Sequence, residues 1–348
     1  MRLLILFALL ALPAFSACNP IDQTCGGVTQ CLTGTSFTTV SNSSYGAAAS
    51  GVDVACGRTY GTASADLMDI YMPHGLGSAA NVPIMVCIHG GGFSQSVDGR
   101  LGCLGYTNQI QTVQRWGVIL YSIDYTLTGT AIWPAGMQSC RCFISGLAAN
   151  APSATWPGNP FDIRIFGTSA GGNYAVWLAW IPDSSQGGVG SNCSTTLNTN
   201  YTITKVVGVS VFIDAAGAGY PASSGDGGIY TAAINGLLGC SSQSTCATAD
   251  TSLQASPLLY ITNANRSRLN VPIYWQVGAS DPTIVFADQL AEAITAGAAL
   301  INPINWSYWN GPCCHQSDRS SFYNGQEIPD AMNWLLGQPA GMLGGNVH

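Results

Sequence analysis

The stretch Gly167-Thr168-Ser169-Ala170-Gly171 stands between an apolar run, Phe161 to Phe166, and a helix-like one, Asn173 to Trp180. A chain that must pass from strand to helix through a serine flanked by glycines has few folds open to it. Such a strand–turn–helix forms a nucleophile elbow. The glycines leave room for a strained turn, and the turn lifts the Ser169 hydroxyl above the sheet, where a base and a substrate can reach it. With 42 glycines in 348 residues the five-residue pattern says little without its flanking elements, and those elements carry the reading.

A second signal lies upstream. Val82 to Ile88 is a short apolar run of the kind a buried parallel strand needs, and it ends in His89-Gly90-Gly91-Gly92-Phe93. Consecutive glycines let backbone N–H groups turn towards one point, free of side chains. A developing oxyanion needs such donors.

A base for Ser169 is found by elimination. The chain has four histidines: His74, His89, His315 and His348. In the α/β-hydrolases, whose nucleophile elbow the Ser169 stretch resembles, the partners follow in the order Ser, Asp or Glu, His, which leaves His315 and His348. His348 is the last residue, and a terminus is a poor place for a positioned base. His315 follows a strand-like stretch, Ile304 to Trp309, and is the candidate. For the acid, Asp281 follows the buried strand expected over Pro272 to Val277 and precedes a helical pattern from Phe286 to Ala296. That places it at the carboxyl end of a strand, the binding edge of an open α/β sheet. Asp214, at the end of the preceding strand, is its main competitor. Asp288 and Glu292 fall in the expected helix, and Asp183, Asp226 and Asp250 in polar stretches where a solvated carboxylate is expected.

With these residues in view, the chain resembles an α/β-hydrolase of the hormone-sensitive-lipase and carboxylesterase type, including its feruloyl-esterase-like members. The likeness runs from about Asp69 to Gln338. Asp69-Ile70-Tyr71-Met72-Pro73 is similar to the strand before the oxyanion strand. His89 to Phe93 is similar to the HGGG-F/W loop, Ser122 to Leu127 to the "D-Y-R-L" strand end, and Gly167 to Gly172 to the G-x-S-A-G-G elbow. Thr126 stands where the family usually has arginine. The resemblance implies a mostly parallel central sheet with helices on both faces, and a small cap built from insertions. It implies a catalytic triad of Ser169, Asp281 and His315, and an oxyanion hole from the N–H groups of Gly91, Gly92 and Ala170. It implies ester hydrolysis with no cofactor and no metal.

Composition sets the surroundings. Hydrophobic residues make up 47% of the chain, ample for a large core, and charged residues only 8%. The net charge of −7 argues against nucleic acid and anionic membrane surfaces as partners. Met1-Arg2 followed by apolar Leu3 to Leu12 reads as a signal peptide over residues 1–17, too short to span a membrane, so the expected location is secreted. Phe15-Ser16-Ala17-Cys18 also resembles a lipobox, which would make Cys18 a lipid anchor. Thirteen cysteines suit an oxidising compartment, and the odd number leaves at least one outside an intramolecular bridge. Cys25 with Cys31 and Cys240 with Cys246 are candidate local bridges. Cys87 reads as a small buried hydrophobe of a central strand. Cys313-Cys314-His315 lacks a second ligand cluster and is not read as a metal site. N-x-S/T sequons occur at Asn42, Asn192, Asn200, Asn265 and Asn305.

The expected organisation is a Cys/Gly/Ser-rich extension over 18–64, a catalytic domain over 65–338 and a loose tail over 339–348. Strands are expected at Trp116 to Tyr121 and a helix at Met137 to Asn150. Residues 182–203 read as a polar loop and 214–255 as part of a cap. Gly217 to Ala222 fits a dinucleotide-loop pattern, but Pro221 opposes the helix such a loop requires. Two rival functions share the fold. A peptidase of the prolyl-oligopeptidase type usually carries a large extra domain, for which this chain leaves no room. A non-catalytic adhesion protein typically loses the serine, whereas Ser169, Asp281 and His315 are all present.

Overall fold

The computed structural model describes residues 38–40, 52–76, 79–94, 100, 103–104, 106–181, 183–185, 188–211, 227–253, 255–257, 271–278, 305–309 and 327–337. The signal segment, Cys18, the Cys25–Cys31 pair, Asp214, Gly217 to Ala222, the helix expected over Phe286 to Ala296, Asp281, Cys313 to His315 and the tail lie outside the described residues.

Nine strands form one sheet: β1 (Thr38–Val40), β2 (Val52–Thr59), β3 (Leu67–Pro73), β4 (Pro83–Ile88), β5 (Ile119–Ile123), β6 (Asn159–Thr168), β7 (Ile203–Val209), β8 (Ile273–Gly278) and β9 (Asn305–Trp309). Their order is β1-β2-β3-β5-β4-β6-β7-β8-β9. β1, β2 and β3 pair antiparallel, as do β3 and β5. From β5 to β9 every pairing is parallel. The helices are α1 (Tyr106–Trp116), α2 (Ala135–Asn150), α3 (Ala170–Trp180), α4 (Gly227–Leu238), α5 (Gln243–Leu253) and α6 (Glu327–Leu336).

The central strand β4 is apolar on both faces because helices cover both. On β4, Ile84, Val86 and Ile88 join a core layer with residues of α2 and α3, while Met85 and Cys87 join the opposite layer with residues of α1 and α6. Every residue of α3 is buried, which fits a helix apolar on all sides. At the far end of the chain, α6 is tied down by cations from the sheet. Lys205 of β7 donates to the Trp334 carbonyl at 2.8 Å, and Arg164 of β6 to the Leu336 carbonyl at 3.0 Å. These satisfy carbonyls that a helix end leaves without partners.

Register brings the strand ends to one edge. Ile88 stands opposite both Ile123 and Gly167, Thr168 opposite Val209, Val209 opposite Gln276, and Gly278 opposite Trp309. The His89 loop and Ser169 therefore leave the sheet at the same carboxyl edge.

Three local readings are corrected. Trp116 ends α1 rather than opening a strand, because Gly117 at φ +62 turns the chain and its N–H closes on the Val113 carbonyl at 2.9 Å. Cys87 is not a lone hydrophobe; it is bonded to Cys103. Asp183 and Asp250 are buried rather than solvated, because Tyr201 (2.6 Å) and Ser256 supply donors to them. The Cys240–Cys246 bridge is present, and Cys142 is joined to Cys193. The sequon residues Asn192 and Asn200 are exposed, and Asn305 begins β9. Among the described residues no helix is long and apolar enough to cross a membrane.

Candidate active site

Ser169 sits between β6 and α3 at φ 50 and ψ −117, a conformation that costs a side-chain-bearing residue free energy. Tertiary structure holds it there. The Ser169 N–H donates to the Val209 carbonyl of β7 at 2.7 Å, and its own carbonyl accepts the Asn173 N–H at 3.1 Å. Two glycines make the turn possible by close approach. A Cβ on Gly167 would stand 2.4 Å from the Gly171 carbonyl oxygen, and a Cβ on Gly171 2.2 Å from the Ile88 oxygen and 2.5 Å from that of His89. The second contact sets the elbow directly against the glycine loop. Ser169 is 7% exposed. The Ala170 N–H belongs to the first turn of α3, where N–H groups lack acceptors within the helix and the helix dipole favours negative charge.

The loop itself has a defined shape. Gly91 and Gly92 have φ +113 and +58, and Phe93 has φ +63. The Gly91 carbonyl accepts the Ser94 N–H at 3.2 Å and the Phe93 carbonyl that of Thr128 at 2.9 Å. The buried Phe93 ring packs edge-on against Tyr174 of α3 at 5.3 Å. A Cβ on Gly92 would meet Ala233 of α4 at 3.3 Å, so the insertion expected to form a cap stands beside this loop.

Beneath the loop lies a buried polar cluster. His89 is 1% exposed; its Nδ1 lies 2.6 Å from the Gly90 carbonyl, and its ring stacks on Tyr125 at 4.4 Å. The Tyr125 hydroxyl donates to the His89 carbonyl at 3.0 Å. Burial holds the Tyr125 phenol well above its ordinary titration range, so it remains a donor. The Arg100 guanidinium reaches Asp69 of β3 (2.7 Å) and Asp124 (2.5 Å) at once. Burial pushes both carboxyl groups above the usual carboxylate range, and Arg100 opposes that shift. Thr126, which stands where the family usually has arginine, bonds to Ser139 at 2.9 Å.

Of the six predicted site residues, Ser169, Ala170, Gly91 and Gly92 fall in two adjoining segments. Asp281 and His315 follow β8 and β9 in sequence and lie outside the described residues. Sequence reasoning missed Arg100. In a chain with ten Lys and Arg residues, an arginine soon after the glycine loop was a signal, but nothing local names its partners.

Residues 68–290, more than half of the chain, match the family described as BD-FAE. Among solved structures the chain is similar to esterase B from Lactobacillus rhamnosis, with a TM-score of 0.59 at 17% identity over 82% of this chain and 86% of that one. It is also similar to a bacterial heroin esterase, with a TM-score of 0.58 at 16% identity over 82% and 83% of the two chains. A truncated carbohydrate esterase from gut microbiota gives 0.56 at 17% identity over 81% and 94%. These likenesses are of fold, that of the α/β-hydrolases. No curated protein matches the sequence.

Proposed function

The chain belongs to the BD-FAE family and is an α/β-hydrolase of the carboxylesterase type, and from that premise we propose that it hydrolyses carboxylic esters through an acyl-enzyme on Ser169. The observation that supports this most is the contact of Gly171 with the carbonyls of Ile88 and His89, which sets a strained serine beside a loop of bare main-chain amides.

In this reading Ser169 Oγ attacks the ester carbonyl carbon while His315 takes its proton. Asp281 holds the imidazole in the right tautomer and stabilises the imidazolium. The N–H groups of Gly91, Gly92 and Ala170 receive the oxyanion. Each such donor contributes roughly 3–4 kcal/mol to the transition state. The tetrahedral adduct collapses, the C–O bond to the alcohol breaks, and His315 returns its proton to the leaving alkoxide. Water then attacks the acyl-enzyme by the same route, releasing the acid and restoring Ser169.

The substrates proposed are small acyl esters, or acetyl or feruloyl groups on plant polysaccharide. The carbohydrate esterase among the structural neighbours supports the second class. Secretion, with residues 1–17 as the leader, is supported by the disulfides Cys87–Cys103, Cys142–Cys193 and Cys240–Cys246, which suit an oxidising compartment. The test is hydrolysis of aryl esters of graded acyl length beside acetyl-xylan and feruloyl esters. Ser169→Ala is expected to abolish turnover on all of them and to leave the fold intact. A folded Ser169→Ala protein with wild-type turnover refutes the proposal.

A further inference from the structure

We propose that Arg100 is a positioning residue for this reaction, holding the oxyanion-binding glycine loop in place through the Asp124 carboxylate and the His89 ring; the inference rests on the esterase reading of Ser169. Arg100 is 2% exposed and forms ion pairs with Asp69 and Asp124. Its Nε donates to Asp69 Oδ1 at 2.7 Å and its Nη1 to Asp124 Oδ2 at 2.5 Å. The other Asp124 oxygen faces His89 Nε2 at 3.5 Å, a charge contact rather than a full hydrogen bond. On the far side of the ring, Nδ1 meets the Gly90 carbonyl at 2.6 Å. With a proton on each ring nitrogen, Nδ1–H clamps the second residue of the loop and the imidazolium faces the Asp124 carboxylate, which orients the ring. Tyr125 presses on the ring face and bonds the His89 carbonyl, and Tyr174 of the elbow helix packs edge-on against Tyr125 at 4.9 Å.

The cluster is built to hold the arginine still. The Arg100 carbonyl accepts from Gln109 of α1 at 2.8 Å and from Ser122 of β5. Cys103, a little further along, is bonded to Cys87 of β4, just before the loop. Gly57 N–H fixes the Asp69 carboxylate at 2.7 Å, and the Tyr60 hydroxyl the Asp124 carbonyl at 2.5 Å. Two carboxylates buried this close repel each other unless one cation serves both. A planar guanidinium with a fork of donors does so where an ammonium cannot. The donors of an oxyanion hole act only if they stand where the charge develops, so a loosened loop lowers kcat and leaves ground-state binding alone.

The test compares wild type with Arg100→Met, Arg100→Lys and Asp124→Asn on a p-nitrophenyl ester. The rate is expressed per active site, counted by fluorophosphonate titration of Ser169, so that a loss of folded protein lowers the count and not the rate. Arg100→Lys serves if the methionine variant does not fold. The expected result is a fall in kcat per site of roughly 10-fold for the lysine and asparagine variants and about 100-fold for methionine, with KM within about 2-fold. Affinity for a trifluoromethyl ketone, whose hemiketal oxyanion needs the loop, falls in step with kcat/KM. Wild-type kcat per titrated site in these variants overturns the positioning role and leaves the esterase intact. A wild-type protein that neither turns over nor takes the label overturns the esterase reading itself.

Discussion

Gly171 lies so close to Ile88 that a Cβ on it would stand 2.2 Å from the Ile88 carbonyl oxygen. The elbow helix and the end of β4 touch backbone to backbone, with no side chain between them to yield. Gly171→Ala therefore has to move one of the two segments. Overpacking of this kind costs about 1–3 kcal/mol, and a displacement of about 1 Å beside the chemistry lowers turnover by roughly 100-fold. Gly129→Ala, where nothing lies within 4 Å of the added carbon, is the matched control. Thermal melts and esterase assays of the two variants check this; equal stability and activity would contradict it.

The φ of 50 at Ser169 makes a second prediction with an unusual sign. Ser169→Gly removes the nucleophile and also relieves a conformation that favours glycine. After the added freedom of the unfolded chain is set against that relief, the variant is expected to be more stable than wild type by about 1 kcal/mol while hydrolysing nothing. Denaturant unfolding at equilibrium measures it. A less stable variant would mean that the strain is not there to be released.

The Cys142–Cys193 bridge joins α2 to the polar segment before β7 across 51 residues of sequence. Closing a loop of that length contributes about 4 kcal/mol in the chain-entropy view. The double variant Cys142→Ala/Cys193→Ala should lose most of that stability and keep its turnover at low temperature, because the neighbours bonded to its sulfurs, the Tyr60 carbonyl and the Thr195 hydroxyl, belong to neither the elbow nor the glycine loop. Activity lost while the protein is still folded would place this bridge in the site's support.

Cys140 is the free thiol among the described residues, buried in α2. Burial first, and Asp66 beside it second, raise its titration far above the ordinary thiol range. A protonated, enclosed thiol is a poor nucleophile. Peptide-resolved mass spectrometry should find Cys140 unmodified by iodoacetamide at pH 8 in the native protein and fully modified in denaturant. Rapid native modification would contradict this packing.

Much of this was legible from local pattern. The apolar runs at Ile84 to Ile88 and Phe161 to Phe166 lie in β4 and β6, and the glycine signals mark the turns after them; β4 is continuously apolar because it is buried on both faces, whereas β6 carries Asp162 and Arg164 in its partly exposed first half. What escaped was long-range or a matter of boundaries. Trp116 reads as strand by composition, and only the left-handed Gly117 shows that it ends a helix. The Asp69–Arg100–Asp124 cluster joins residues 31 and 24 positions apart, and no periodicity connects them. Cys87 looks like core until Cys103 is seen beside it. Ser169 and its loop were named from sequence, whereas Asp281 and His315 lie outside the described residues and stand on chain order alone.

Labelling by a fluorophosphonate probe, followed by peptide mapping, tests most directly whether Ser169 is an activated nucleophile. One equivalent of label on the peptide carrying Ser169, lost in both Ser169→Ala and His315→Ala, is the predicted result. An unlabelled native protein, or a label placed on another residue, would contradict it.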